Sequence, residues 1–482
     1  MAQAETLIVE PGSFEPHDHW YPKALNATIH PMISFFFNLE KPRIVQRYCH
    51  LHPTVNAQRL TELLDYQPKF FRWSGADLIN VTTAGGKKQM VVIENNSCPS
   101  GQKSMPLLDD HMEQGGYRHL MDKTFRPVVN ARKSIEGRLA VIYDKNPMET
   151  LGYARVMADV FDEPVLYIYF PHGCKEPPVR IDEGVLHARE PGSDQWVPLR
   201  AVFRYLTQKP WNRLPLHSKT KILNPIVSCL AGGRNKMVAS KAYDLFNSEL
   251  ASAGMKINTP ETIWDVSKGS IPLWIRKMGG QGVVKVPYSN AGQGVFTIVN
   301  EQELAQFMEK EFDYNTFIVQ SLIGNYQWSS TTTSGKFYHV GTIPSIREQT
   351  YVFDLRMMIH ATPDGLRPLS VYARRAELPL LDTLDPGTGS WDILGTNLSY
   401  KMPDGSWATD ANRLMLTDRR DFNKLGLGLD DLIEAFIQSV LSTVAIDKMA
   451  ETLHTTKGRF RMKLFNSLND DQALIDEILV SE

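Results

Sequence analysis

Four groups of residues in this sequence have types and spacings that could do chemistry. The first is Glu94-Asn95-Asn96, which ends the apolar run at 90–93 and leads into Ser97-Cys98-Pro99-Ser100-Gly101. On a strand, residues i and i+2 share a face, so Glu94 and Asn96 point the same way. Two hard oxygen donors converging at a strand end suit Mg²⁺. The competing reading is a turn opened by an asparagine pair beside a solvated glutamate. The second group begins at Gly279-Gly280-Gln281-Gly282, continues through an apolar strand ending in Lys285, and closes with Ser289-Asn290-Ala291-Gly292-Gln293-Gly294. Small residues let backbone N–H groups approach a polyphosphate, and the lysine adds charge. A plain glycine-rich hairpin would look the same. The third group places Asp354 and Arg356 on one face of a strand and Arg374 and Arg375 on its partner. Arginines in an apolar hairpin are costly unless they hold an anion, either a ligand's or an internal carboxylate. The fourth is the apolar strand at 317–323, broken at Gly324, which by itself reads as core. His17-Asp18-His19 and Cys49-His50-Leu51-His52 have a metal-like composition. Their spacing matches no usual ligand pattern, so both read as structural.

These groups need elements to hold them. A helix is expected over 55–71, then strands over 77–82 and 90–94 joined by the polar loop Ala84-Gly85-Gly86-Lys87-Lys88. Alternating strand, helix and strand patterns at 138–146, 148–161 and 163–170, with another strand at 196–206, predict an inserted α/β domain at 135–230. Helices are expected over 236–253, near 301–310 and, longest, over 428–449. Residues 353–361 and 366–376 form a hairpin across Thr362-Pro363-Asp364-Gly365. The Thr/Ser-rich stretch 326–347 suits a mobile flap, and the Pro- and His-containing residues 1–45 read as irregular. The expected units are 1–134, 135–230, 231–325 and 326–482.

Composition narrows the function classes. The 482 residues are 42% hydrophobic and 22% charged, as in globular proteins. Lys plus Arg is 52 and Asp plus Glu is 54, a net charge of −2, so no basic excess marks the chain for nucleic acid. Four cysteines without a CxxC pair argue against a disulfide scaffold or a structural zinc module. No stretch approaches the ~20 apolar residues of a membrane span, and the first residues lack a signal-peptide pattern, so a soluble, cytoplasmic protein is expected. GxxxxGK[ST], GxSxG, HExxH and GxGxxG are absent.

Taken in order, the four groups resemble the circularly permuted ATP-grasp ligases, such as eukaryotic-type glutathione synthetase and glutathionylspermidine synthetase. In the common ATP-grasp order the Glu-x-Asn strand comes last, whereas here it precedes Lys285 by nearly two hundred residues. The resemblance implies an α+β/α/β architecture: a circularly permuted ATP-grasp fold with an inserted α/β substrate-binding domain. It implies ATP and Mg²⁺ as cofactors. Glu94 and Asn96, with Asp77, would hold the metal. Lys236, or Lys241 one turn on, and Lys285 would hold phosphates under the loop of Ser289, Asn290, Gly292, Gln293 and Gly294. The Gln320 carbonyl and the Leu322 N–H would pair with adenine. Arg356 and Arg374 would orient an acyl phosphate.

The chain departs from the family pattern in three ways, one of them that the loop after Lys285 carries fewer glycines. The family has Arg-x-Asp before the metal strand, but position 75 is glycine, so the nearest arginine, Arg72, is the one the resemblance would make catalytic. A family glutamate four residues after the loop lysine is Ser289 here. The implied activity is an ADP-forming carboxylate–amine ligation on amino-acid or small-peptide substrates. The alternatives are phosphoryl transfer to a hydroxyl, or nucleotide binding without turnover. The implied partners are a small-molecule carboxylate and an amine, with no nucleic acid and no membrane; the family commonly dimerises, so a homodimer is also implied.

Overall fold

The computed structural model describes residues 3–131, 135–207, 213–289, 292, 294–333, 335–384, 388–401, 407–455 and 458–479. Eight elements frame its central cleft: strands β1 (Trp73–Thr83) and β2 (Lys88–Asn96), helix α1 (Lys236–Leu250), strands β3 (Gly282–Lys285), β4 (Thr316–Gln320), β5 (Phe353–Thr362) and β6 (Gly365–Arg375), and helix α2 (Leu429–Thr452).

The mixed α/β chain builds three main sheets. In the first, Arg138–Tyr143 lies parallel between Val165–Tyr169 and Trp196–Tyr205, with the helix Pro147–Phe161 as crossover. Leu139, Ala140, Val141 and Ile142 are all fully buried, as expected for a strand covered on both faces. The second sheet is antiparallel, in the order Thr262–Ser267, β4, β3, Val295–Ile298. The third, also antiparallel, runs Phe337–His339, β1, β5, β6, Leu414–Met415, with β2 on the far edge of β1.

Helix α2 is buried along most of its length. Its polar residues are therefore obliged to find partners. Thr443 Oγ1 meets Ser74 Oγ at 2.7 Å, and Ser442 Oγ accepts from Asn95 Nδ2 at 3.0 Å, which ties the helix to β1 and β2. The Asp447 carboxylate accepts the backbone N–H groups of Lys69, Phe70 and Phe71 at 3.0, 2.8 and 2.7 Å, and the Tyr66 hydroxyl at 2.8 Å.

Three expectations are corrected. Residues 1–45 are not irregular: Glu5–Val9 joins the first sheet antiparallel to Val165–Tyr169, and helices Pro31–Phe37 and Lys41–Leu51 follow. Ile33, Phe36, Ile44 and Tyr48 sit at helical spacing there and are buried. The helix expected over 55–71 spans only Ala57–Leu64. Pro68 disfavours helical backbone in the residue before it, and Asp447 holds the following N–H groups instead. The expected flap is anchored. Phe337–His339 pairs with the end of β1, and the buried Trp328 donates Nε1–H to the Leu381 carbonyl at 3.1 Å. No helix among the described residues is long and apolar enough to cross a membrane.

Candidate functional site

A cleft of about 980 Å³, counted to its open mouth, separates the second and third sheets. Strand register decides what faces it. In the β1–β2 pairing Asp77 lies opposite Glu94, and Gly75 opposite Asn96. Asn95, between them, turns to helix α2, so Glu94 and Asn96 line the cleft together. In the β1–β5 pairing Arg356 lies opposite Asp77, and in the β5–β6 pairing Arg374 lies opposite Asp354.

Those registers assemble a buried cluster of two carboxylates and two guanidiniums. Arg356 donates two parallel hydrogen bonds to Asp77, Nε–H to Oδ1 at 2.6 Å and Nη2–H to Oδ2 at 2.7 Å. Its Nη1 reaches the Ser100 carbonyl at 3.3 Å. Arg374 Nη2 reaches Asp77 Oδ2 at 3.0 Å, and Arg374 also donates Nε–H to Asp354 Oδ1 at 3.0 Å and Nη2–H to Asp354 Oδ2. Burial pushes the Asp77 carboxyl up, but Arg356 and Arg374 together hold it at about 2. Asp354 is raised, by burial first and by the Asp77 charge, against the opposing pull of Arg374.

Two lysines come from the opposite side. Lys285, at the end of β3, is buried and donates to the Ile93 carbonyl at 3.1 Å. Burial, with Lys236 nearby, lowers its ammonium to about 8 against the pull of Glu94 and Asp77. Lys236 opens helix α1, where the Asn235 side chain caps by accepting from Val238 N–H at 3.0 Å. Its Nζ donates to the Ser289 carbonyl at 3.0 Å and hydroxyl at 3.1 Å, and lies 3.4 Å from Glu94 Oε1.

Of the other expected residues, Gly292 lines the cleft at φ +74°, where a side chain's Cβ would lie 2.9 Å from the Trp391 ring. Gly294 accepts from Val286 N–H through its carbonyl at 2.9 Å. Asn290 and Gln293 lie outside the described residues. Gln320 lines the cleft, with its side-chain amide donating to Thr262 Oγ1 at 2.9 Å.

Four expectations fail on geometry. Lys241 points away from the cleft, to Asp265 Oδ2 at 2.6 Å and the Leu468 carbonyl at 2.6 Å. Arg72 lies outside it too, with Nε 3.4 Å from the Lys69 carbonyl. Asp77 has both oxygens committed to arginines and is no free metal ligand. The Leu322 N–H is already donated to Ser330 Oγ at 2.8 Å, so it is not open to adenine.

The donors that remain fit a nucleotide carrying one magnesium ion. Glu94 and Asn96 offer two oxygens on one face, and Mg²⁺ characteristically takes one or two protein ligands and completes its shell from phosphate and water. Among the described residues, no three His, Cys, Asp or Glu side chains cluster so as to hold a metal by themselves.

Sequence reasoning missed the groups flanking Arg356. Lys145 follows the strand Arg138–Tyr143 and is lowered to about 8 by desolvation, with Arg234, Arg356 and Lys103 adding repulsion. The fully buried Glu149 carboxylate accepts N–H from Gly101 at 2.9 Å and from Gln102 at 3.1 Å, and the Ser100 hydroxyl at 2.7 Å. It fixes the loop whose Ser100 carbonyl meets Arg356. The signal was Asp144-Lys145-Asn146 at the carboxyl end of a parallel strand, where α/β sheets place ligands.

No family model and no curated protein matches the chain. Among solved structures, it is similar to a RimK-domain ATP-grasp protein from Sphaerobacter thermophilus, with 14% identity, 48% of this chain and 90% of that one covered, and a TM-score of 0.29. It is similar to a glutathione synthetase-like effector from Globodera pallida in its apo form, with 10% identity, 71% and 82% coverage and a TM-score of 0.37. A third is N5-carboxyaminoimidazole synthetase from Staphylococcus aureus in complex with ADP, with 13% identity, 36% and 52% coverage and a TM-score of 0.18. These neighbours are ATP-grasp proteins. At such TM-scores the likeness is partial, and it is the cleft's own residues that bear on function.

Proposed function

We propose that this protein is an ATP-dependent carboxylate–amine ligase, a circularly permuted ATP-grasp enzyme whose inserted α/β unit, at 135–230, binds substrate. One observation carries the reading: a single cleft brings Lys285, Glu94 and Asn96 together with the Arg356–Arg374 cluster, and Lys236 reaches Glu94 from the pocket that adjoins it. The two lysines, Glu94 and Asn96 suit a metal-bound polyphosphate, and the arginine cluster suits the group that receives its terminal phosphoryl.

Lys285 and Lys236 would bind the phosphates, with Lys236 exchanging its Ser289 contacts for phosphate oxygens. Glu94 and Asn96 would hold magnesium, which on binding offsets charge on the transferring phosphoryl group. Asp77 and Asp354 hold the two guanidiniums rigidly, and a preorganised donor loses nothing to reorientation as charge develops. Their remaining N–H groups would align the substrate carboxylate. Lys145 beside Arg356 adds positive charge behind the cluster, which favours an acidic substrate. Phosphorylation converts the carboxylate's oxide into a good leaving group, and the amine then displaces it.

The test is ADP release with MgATP against pairs of amino acids, small peptides and amines, with product masses recorded. The ligase reading expects ADP only when acid and amine are both present, and a condensation product. ADP with a phosphorylated hydroxyl compound as the stable product would replace it with a kinase.

A further inference from the structure

The apolar walls of the cleft include Ile79, Ile93, Leu322 and Ile323. Among these apolar walls stand two polar side-chain atoms with no partner. Ser321 Oγ and His339 Nδ1 are both buried and neither makes a hydrogen bond. Both residues line the cleft. A buried acceptor or donor left without a partner is costly, and native proteins keep few of them without a reason. The backbone donors here are closed, because Leu322 N–H is held by Ser330 Oγ and Ser321 N–H by the Glu261 carbonyl at 2.8 Å.

Resting on the nucleotide reading above, we propose that this cleft reads the nucleobase through side chains, with His339 Nδ1 accepting the exocyclic amino group of adenine and Ser321 Oγ donating to an adjacent ring nitrogen. The ring is hydrogen-bonded to the Ile323 backbone while Nδ1 has no partner, which assigns the proton to Nε2 and leaves Nδ1 a bare acceptor. Burial keeps the ring neutral, with its pKa at about 4, so Nδ1 stays an acceptor at any ordinary assay pH. Adenine presents an N6 donor, whereas hypoxanthine and guanine present an O6 acceptor in the same place. Acceptor against acceptor repels, so His339 discriminates. The Ser321 hydroxyl can rotate to donate or accept and discriminates less.

The experiment is equilibrium binding of MgATP and MgITP, which differ only at the base edge, to the wild-type chain and to His339→Leu, His339→Asn and Ser321→Ala. The wild type is expected to favour ATP by about tenfold or more, the usual scale for a buried acceptor facing the wrong group. His339→Leu should bring the ratio near one with weaker ATP binding. His339→Asn should also bring it near one while keeping ATP affinity, because its amide can turn either edge to the base. A purely structural role would lower both affinities and leave the ratio unchanged. Ser321→Ala removes only a hydroxyl and should weaken ATP binding about threefold to tenfold, which reads the subsite even if the His339 variants do not fold. A wild-type ratio near one, a ratio unmoved in both His339 variants, or a silent Ser321→Ala overturns the base-reading proposal while nucleotide binding stands. Absence of binding by either nucleotide overturns the nucleotide reading itself and this proposal with it.

Discussion

Lys285 makes nucleotide affinity depend on pH in a way that can be calculated. In the free protein its pKa is about 8, because burial and Lys236 outweigh Glu94 and Asp77. A triphosphate bound beside it would hold the proton on. At pH 7 about nine-tenths of the free protein carries that proton, and at pH 9 about one-tenth does, so affinity should fall about tenfold, or about 1.4 kcal/mol, across that window. Stability moves the other way. The unfolded lysine keeps its proton to its ordinary pKa of 10.5, so the free protein gains up to about 3 kcal/mol as pH rises from 8 to 10.5. The assay is calorimetric titration with MgATP from pH 7 to 9.5, in two buffers of different ionisation enthalpy, so that proton uptake is read directly. Trp391 lines the cleft and offers a fluorescence readout of the same titration. Lys285→Arg keeps its charge throughout and should give a flat profile. A flat wild-type profile, or the same slope in Lys285→Arg, would refute the reasoning.

Other expectations concern stability and metal. Asp77→Asn leaves Arg356 with the Ser100 carbonyl and the Tyr372 hydroxyl as its remaining partners, and breaking such a buried pair costs about 3–5 kcal/mol. The thermal midpoint should fall sharply and recover in part on adding Arg356→Met; a loss under about 1 kcal/mol would contradict the cluster's role. Because Asp77 is held at about 2, its contribution is complete above pH 4 and is lost as pH falls toward 2, which an acid-unfolding series would show. Glu94→Ala should abolish ADP formation and remove the magnesium dependence of nucleotide binding; unchanged ADP release would remove Glu94 from the metal site. Asp447→Ala strands three backbone N–H groups and should cost about 2–4 kcal/mol by thermal unfolding without altering the ATP-to-ITP ratio.

Much of this architecture is legible in sequence because local patterns dictate it. The glycine-containing loop between β1 and β2, the Thr362-Pro363-Asp364-Gly365 turn between β5 and β6, and the apolar run of α2 each specify their element within a few residues. What escapes is register between distant strands. Asp77 and Arg356 stand 279 residues apart in sequence, and nothing local says that β1 and β5 pair so as to set them face to face. The sequence therefore left ligand-binding and ion-paired arginines equally open, and it assigned Asp77 to the metal. The choice between Lys236 and Lys241 was nearer to hand. Five positions turn a helical side chain by about 140°, so both could not face one cleft, and only Lys236 sits at the first turn beside Ser289. The Leu322 N–H was lost to Ser330, a residue eight positions on, through a loop contact that strand periodicity cannot express.

The most direct test of the ligase reading follows oxygen. Candidate acids carrying ¹⁸O in their carboxylates are turned over with MgATP and an amine, and the released phosphate is analysed by mass. Activation of the carboxylate by phosphoryl transfer predicts that one labelled oxygen passes into inorganic phosphate with each amide formed. Amide formation accompanied by unlabelled phosphate would contradict it.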